Sequence, residues 1–311
     1  SCFANVLGLN ISASFNSAKV IYIMIPVLII PQLLFSGIIV KFDKLHPWFA
    51  SERSVPWIGN IMASRWAYEG LAVTQFMENS YEKQFYPLDR RMKTANWKKD
   101  LWVRELENAS GNVRRSLAAR SEGSGMEHDL ALLRSELEKE TKVLNGFELP
   151  LLDRLERGRV DAEVLDQVDE ALRTLTQHYR TAYKTAEAEK ELLIAELTGT
   201  PELRGEYFAR LDAFRNESLA EVVTNKNDVN VIVEYHGELV QKSDPVYLEP
   251  RYSGFFGAQF YAPSKYLGSV RVPTLWANTL VLWGMSLLLA IALYGEVFLR
   301  LLNALPRSGR R

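Results

Sequence analysis

The chain has 311 residues, with 37 Lys and Arg against 38 Asp and Glu. That balance leaves no basic field of the kind nucleic acid needs, so no nucleic-acid partner is expected. The single cysteine, Cys2, excludes an internal disulfide and a thiolate metal cluster. The mean hydropathy of −0.11 resembles a soluble protein, but it averages two apolar ends with a highly charged middle.

Ser1 to Phe15 is uncharged, with small residues spread through it. It reads as the end of a membrane helix packed on its neighbours through Ala4, Gly8, Ser12 and Ala13. The chain has no initial Met, no charged leader and no small-residue cleavage site. It is therefore expected to be the C-terminal part of a longer polypeptide. Asn16 and Ser17 read as a tight turn, with Ser17 as a helix cap.

Val20 to Val40 follows, with no charge between Lys19 and Lys41. A helix of this length is on the order of 30 Å long and matches a bilayer's hydrocarbon core. Most of its residues are Val, Ile, Leu or Phe, each contributing roughly −0.3 to −0.6 kcal/mol to insertion near the bilayer centre. Pro26, Pro31 and Gln32 are tolerable where neighbouring helices satisfy the freed carbonyls. The two prolines predict a kinked span, unlike a plain anchor.

Lys41, Asp43 and Lys44 end that span. Trp48, Phe49, Trp57 and Trp66 are the amphipathic aromatics expected at the headgroup level. Pro56 opens a predicted amphipathic helix over 56–72, in which Ile58, Ile61, Met62 and Leu71 recur near helical spacing. Arg65 and Glu69 stand four apart within it and can pair. The helix is expected to lie in or dip into the membrane interface, against the alternative of a surface helix on a soluble domain.

The middle of the chain, 81–243, is charged and helical in pattern. Leu101 to Leu106 is expected to close one helix, and Ser121 to Gly125 (SEGSG) to form a flexible joint. Leu130, Leu133, Leu137 and Leu144 mark the stripe of the next helix. The longest helix is predicted from Asp161 to Leu197, with near-heptad apolar spacing interrupted at Lys190. Thr200 and Pro201 read as the cap and first residue of another helix, whose apolar face is Leu203, Tyr207, Leu211 and Phe214. Such narrow stripes predict antiparallel coiled-coil hairpins. Asp228 to Tyr235 alternates like a strand, but no partner strand is evident and helix is preferred.

Asp244 to Arg271, rich in Pro, Gly and Tyr, is expected to be a packed irregular return segment. Val272 to Gly295 is the second predicted full span, with Pro273 in its first turn. Arg300, Arg307, Arg310 and Arg311 place the tail in the cytoplasm under the positive-inside rule, which leaves 41–271 outside. The expected fold is an all-α membrane protein. Two full transmembrane helices and the end of a third frame an extracytoplasmic helical insert. The corresponding divisions are a membrane region 1–80, an insert 81–243, and a return segment, last span and tail over 244–311.

The chain contains no phosphate loop, no GxSxG elbow and no HExxH motif. His46, His128, His178 and His236 are scattered. No enzyme activity, metal or cofactor is expected in this chain.

The order of parts carries a resemblance. The end of a membrane helix is followed by a tight turn and a proline-bearing span ending in Phe35-Ser36-Gly37-Ile38-Ile39-Val40. Then come a Trp-rich interfacial helix with Arg65-Trp66-Ala67-Tyr68-Glu69-Gly70-Leu71, an external segment and a last span. This resembles the C-terminal half of the permease domain of G-subfamily (White-type) ABC transporters, the type-2 exporter class. It is most similar to bacterial forms with a long helical insert before the last helix. The likeness covers about 1–80 and 244–302.

The resemblance implies that Val20 to Val40 is the fifth membrane helix and lines the substrate path at a dimer axis. Ile38 and Ile39 would form a plug between inner and outer cavities, with Ile30 and Leu33 facing the path one and two turns below. Trp57, Arg65, Trp66 and Glu69 would belong to the interfacial helix. Further implications are a bacterial inner-membrane location, a homodimer or heterodimer, and a nucleotide-binding domain upstream that holds ATP and Mg. The insert would meet an extracytoplasmic partner. The competing reading is a two-span membrane sensor with an extracytoplasmic helical input domain. The double proline, Gln32 and the interfacial helix favour the permease.

Overall fold

The computed structural model describes residues 1–15, 17–45, 55–120, 123–144, 146–250 and 258–304. Trp48, Phe49, Arg307, Arg310 and Arg311 lie outside the described residues. In chain order the helices are α1 (Cys2–Ser14), α2 (Ala18–Leu34), α3 (Trp57–Ile61), α4 (Ala63–Met77), α5 (Glu82–Trp97), α6 (Val103–Ala118), α7 (Ser124–Val143), α8 (Ala162–Leu197), α9 (Pro201–Phe214) and α10 (Glu217–Val223). Two antiparallel hairpins follow, β1 (Ile232–Tyr235) with β2 (Glu238–Gln241) and β3 (Ser264–Leu267) with β4 (Val270–Pro273), and then α11 (Thr274–Tyr294) and α12 (Val297–Ala304). Two compact units result: Ser1–Gln75 with Glu249–Arg311, and Phe76–Leu248.

In the first unit α1 packs along α11. Asn10, 2% exposed, donates through Nδ2 to Leu289 O at 3.0 Å and to Val6 O at 2.9 Å. An amide buried between apolar helices must find such acceptors, and here they join two helices. α11 has 21 residues with mean hydropathy 1.8 and is long and apolar enough to cross a membrane. α1 and α2 are apolar but shorter. The 17 residues of α2 extend about 26 Å at 1.5 Å per residue.

α2 stops at Leu34, six residues before the expected end at Val40. Ser36 supplies the reason. Its hydroxyl donates to Leu33 O at 2.7 Å and accepts from Ile38 N at 3.3 Å, which turns the chain away from the helix. Gly37 follows at φ +80, the left-handed conformation that terminates helices. A Cβ on Gly37 would lie 2.5 Å from the Phe42 ring, so the turn requires glycine twice over.

The helix expected over 56–72 is two helices. Met62, at φ −81 and ψ 113, breaks it into α3 and α4, and Pro56 caps α3. The polarity of α4 is also inverted from the expectation. Arg65 and Glu69 are fully buried, whereas Leu71 is 65% exposed. The return segment, expected to be irregular, contains β3 and β4 joined through Gly268 at φ +64. Pro273 is the N-cap of α11.

The second unit is a set of antiparallel helices. Leu101 to Leu106 does not close a helix. The chain widens into a π-helical turn over Lys98–Trp102 and continues into α6. The resulting 82–118 rod runs antiparallel to the 36-residue α8. Lys190 meets Asp89 near one end, and Ser110 donates to Asp169 at 2.7 Å toward the other. Lys190, the break in the heptad pattern, is thus the α8 partner of an α5 carboxylate.

The core between these helices includes Leu106, Val113, Leu133, Leu137, Leu165, Val168 and Leu172, none more than 1% exposed. Asp161 caps α8 by accepting from Val164 N at 2.9 Å, and Thr200 caps α9 by accepting from Leu203 N at 3.3 Å. Ser124 and Gly125, placed in a flexible joint by the sequence, begin α7 instead, with Gly123 as its cap. The preference for helix over 228–235 is corrected. Ile232 to Tyr235 forms β1, and its partner begins three residues later. His236 at φ 52 and Gly237 at φ 72 make the two-residue turn whose twist suits a hairpin.

Candidate functional site

Two features of the first unit form the candidate site: the surface of α2 with the turn after it, and a buried charge cluster beside α4. No residue of α2 is buried. Ile30 is 53% exposed and Leu33 47%. Ile38 and Ile39, in the turn shaped by Ser36 and Gly37, are 43% and 62% exposed. All four side chains are exposed, two on the second half of α2 and two on the segment after it. Gln32 joins α2 to α4. Its Oε1 accepts from the Ser64 backbone N–H at 3.2 Å, and the Ser64 hydroxyl donates to Gln32 O. The polar residue inside α2 therefore satisfies a free amide at the start of α4.

The charge cluster is built on α4 by Arg65 and Glu69, one turn apart, with Arg65 Nη2 3.5 Å from Glu69 Oε2. The sequence pattern anticipates the pair but not its burial, nor its third and fourth members. Lys265 of β3, fully buried, donates its ammonium to Glu69 Oε2. Asn278 of α11 donates through Nδ2 to Glu69 Oε2 at 2.9 Å and to Trp66 O at 2.9 Å. The Tyr261 backbone N–H donates to Glu69 Oε1 at 3.2 Å. Trp66 lies against both cations, with Arg65 Cζ 3.9 Å and Lys265 Nζ 4.5 Å from its ring. Its indole N–H donates to Asn60 O at 2.8 Å. Trp57, at the start of α3, is 60% exposed.

Electrostatics fixes the charge states. Burial opposes ionisation of Glu69, but Arg65, Lys265 and the hydrogen bonds outweigh it and hold the carboxyl below the usual range. Burial lowers the Arg65 value while Glu69 opposes that shift, and a guanidinium keeps its proton. Burial pushes the Lys265 ammonium down to about 7, although Glu69 works the other way. With one carboxylate and two cations among the described residues, the cluster carries a net positive charge until Lys265 releases its proton. This is a structural tie among α4, β3 and α11. It holds no nucleophile and base in catalytic relation.

Of these two added members, Asn278 left a faint signal in the sequence and Lys265 left none. Asn278 is the only carboxamide in the last span, and a polar residue there needs a partner. Lys265 is one of three cations in the return segment, with Arg251 and Arg271, and nothing in the sequence singles it out.

The first unit also sorts its residues against the soluble rule. Beside buried Phe42, Val55, Trp66, Val73 and Tyr261, its described interior holds the polar Asn10, Ser36, Arg65, Glu69, Ser264, Lys265, Thr274, Asn278 and Ser286. Its surface shows Ile23, Ile30, Leu71, Trp283, Leu287 and Leu288, all more than half exposed. Polar groups inside and large apolar groups outside is the arrangement that lipid selects. Residues 1–76 match the family model described as ABC-2 type transporter. No curated protein and no solved structure matches the chain. The match covers α1 to α3 and nearly all of α4, about a quarter of the chain, and supports a membrane permease component of an ABC transporter in this part.

Proposed function

We propose that the chain is the C-terminal half of the permease of a G-subfamily-like ABC exporter, with α2 lining the path of an apolar cargo. The observation that carries this reading is the unburied surface of α2, which leads into a turn held open by Ser36 and Gly37 and carries Ile38 and Ile39 at its tip. A helix whose covered face is only the half-buried stripe Ile21, Met24, Leu28, Pro31 and Gln32 leaves its other faces for lipid, another protein surface or a cargo path. In this reading Ile38 and Ile39 form the gate, and Ile30 and Leu33 face the path below it. Two such permease halves pair, and the upstream nucleotide-binding domain supplies ATP hydrolysis. The unit Phe76–Leu248 is an extracytoplasmic insert in a bacterial inner-membrane protein, it meets an extracytoplasmic partner, and the C-terminus is cytoplasmic.

The test uses the full-length transporter in proteoliposomes. Ile38→Ala with Ile39→Ala is expected to keep ATP hydrolysis while changing the transport rate, and an unchanged rate removes the gate assignment. Topology is read in a Cys2→Ser background. A membrane-impermeant maleimide added outside is expected to label Ser124→Cys and to spare Ser308→Cys, a position outside the described residues. The opposite labelling overturns the orientation.

A further inference from the structure

The buried cluster on α4 has donors to spare and lacks one negative charge. Glu69 commits both oxygens to other groups: Oε2 accepts from Lys265 and Asn278, and Oε1 from the Tyr261 backbone. Arg65 Nη2 lies 3.5 Å from Oε2, near enough for attraction, but makes no hydrogen bond to it. Nε, Nη1 and Nη2 of Arg65 are all buried and all lack an acceptor. Buried donors are almost always paired, so a guanidinium with no paired nitrogen calls for a further partner.

The surroundings restrict where that partner sits. The Trp66 ring lies over the guanidinium, with its centroid 3.9 Å from Arg65 Cζ, and the Phe260 ring centroid is 5.9 Å away. Aromatic faces attract the cation, but the N–H groups point outward in the guanidinium plane. The partner therefore belongs at the edge. Arg65 is 0% exposed, so the partner is also small and enclosed.

Charge identifies its chemistry. Among the described residues Arg65 and Lys265 contact a single carboxylate. Burial holds the Tyr261 phenol above its usual range, so it stays neutral and adds no anion. A water can satisfy an N–H donor, or the unpaired Asn278 Oδ1, but leaves the excess charge in place. An uncompensated buried charge is far costlier than an unfilled hydrogen bond. A monatomic anion supplies the charge and accepts from several N–H groups at once, without the bulk of a carboxylate or phosphate.

We propose that the edge of the Arg65 guanidinium holds one chloride ion, buried in the cluster that joins α4, β3 and α11. Such a site needs nothing from the assignment of α2 as a cargo path. The test follows thermal unfolding of the detergent-solubilised full chain as sodium chloride replaces sodium gluconate at constant ionic strength. A pH of about 6 keeps Lys265 charged, below its value of about 7. The melting temperature is expected to rise with chloride and to level off, as for a ligand at one site. Arg65→Gln is expected to abolish the rise. Lys265→Met keeps the guanidinium but removes the excess charge, so it should need severalfold more chloride for half the rise. Bromide in place of chloride should quench tryptophan emission over the same saturable range, and Trp66→Phe should remove that quenching. No rise in the unmodified chain means that water serves the guanidinium and overturns the proposal. A rise that persists in Arg65→Gln, or quenching that survives Trp66→Phe, places the anion elsewhere and overturns it equally. Should Arg65→Gln fail to fold, an unchanged chloride midpoint in Lys265→Met overturns the proposal in its stead.

Discussion

Replacing Glu69 with Gln should be far more damaging than its size suggests. Among the described residues the carboxylate is the only anion in contact with Arg65 and Lys265, and it accepts from Asn278 and the Tyr261 backbone as well. Gln preserves the volume and some of the hydrogen bonding but leaves Arg65 uncompensated and favours the unprotonated Lys265. Removing one partner of a buried ion pair costs about 3–5 kcal/mol. Lys265→Met leaves Arg65 and Glu69 as a neutral pair and puts an apolar stem where the lysine stem lay. Its cost should be near that of one lost hydrogen bond, about 1 kcal/mol. The double variant removes a cation along with the anion, so it should be more stable than Glu69→Gln alone by about 1–3 kcal/mol, a positive coupling. The assay is denaturant unfolding of the detergent-solubilised full chain, followed by tryptophan emission, with Trp66 lying against both cations. The reasoning fails if Glu69→Gln costs under about 1 kcal/mol, or if Lys265→Met costs as much as Glu69→Gln.

The same lysine gives a pH dependence. Its folded value, about 7, lies below the 10.5 of a free lysine, so between these values the unfolded chain binds more protons. This contribution to stability should rise with pH from about 7 to about 10.5, and Lys265→Met should flatten that part of the profile; an identical slope in the variant refutes it. Gly37→Ala must adopt φ +80 and place a methyl 2.5 Å from the Phe42 ring. It should cost about 2 kcal/mol or more, read as a lowered melting temperature; an unchanged midpoint refutes the turn geometry. Leu172, 0% exposed in the α5–α8 core, should cost about 2–5 kcal/mol on truncation to Ala, with the loss seen in helix unfolding of the second unit.

The second unit was the more legible half, because its signals are local. Asp161 and Thr200–Pro201 mark helix starts by chemistry that works within one turn, and the structure has caps at both. The leucine stripes of α7 and α8 are buried for the same reason, since helical period alone brings them to one face. The hairpin was also local in principle: His236–Gly237 is a two-residue turn, and the partner strand Glu238–Gln241 lies directly beyond the alternating 228–235. In the first unit the errors follow from tertiary partners. Hydropathy carried α2 through Ser36 and Gly37, whose turn depends on a serine hydroxyl and on the Phe42 ring. Spacing paired Arg65 with Glu69 but gave no reason to bury them, because that reason is Lys265 and Asn278, about two hundred residues away in the chain.

Those distant partners explain how a unit with an apolar exterior holds together. Burial of apolar surface gives little preference for one helix arrangement over another when lipid is as apolar as the side chains, so packing and polar ties decide. Asn10 ties α1 to α11, and Asn278 ties α11 to α4 at Trp66 and Glu69. Gln32 and Ser64 tie α4 to α2. The links are unequal. The α4–α11 link is a fully buried charge cluster, whereas the α4–α2 link is a neutral amide–serine pair at the end of a helix with no buried residue. Charged hydrogen bonds are roughly twice as strong as neutral ones, so an applied displacement should separate α2 from α4 before it separates α4 from α11. The weak link lies four residues before Ser36, at the start of the turn that carries Ile38 and Ile39. A gate at that turn would therefore move with α2 against a frame formed by α4 and α11, and the buried charges are what make the frame rigid enough to move against.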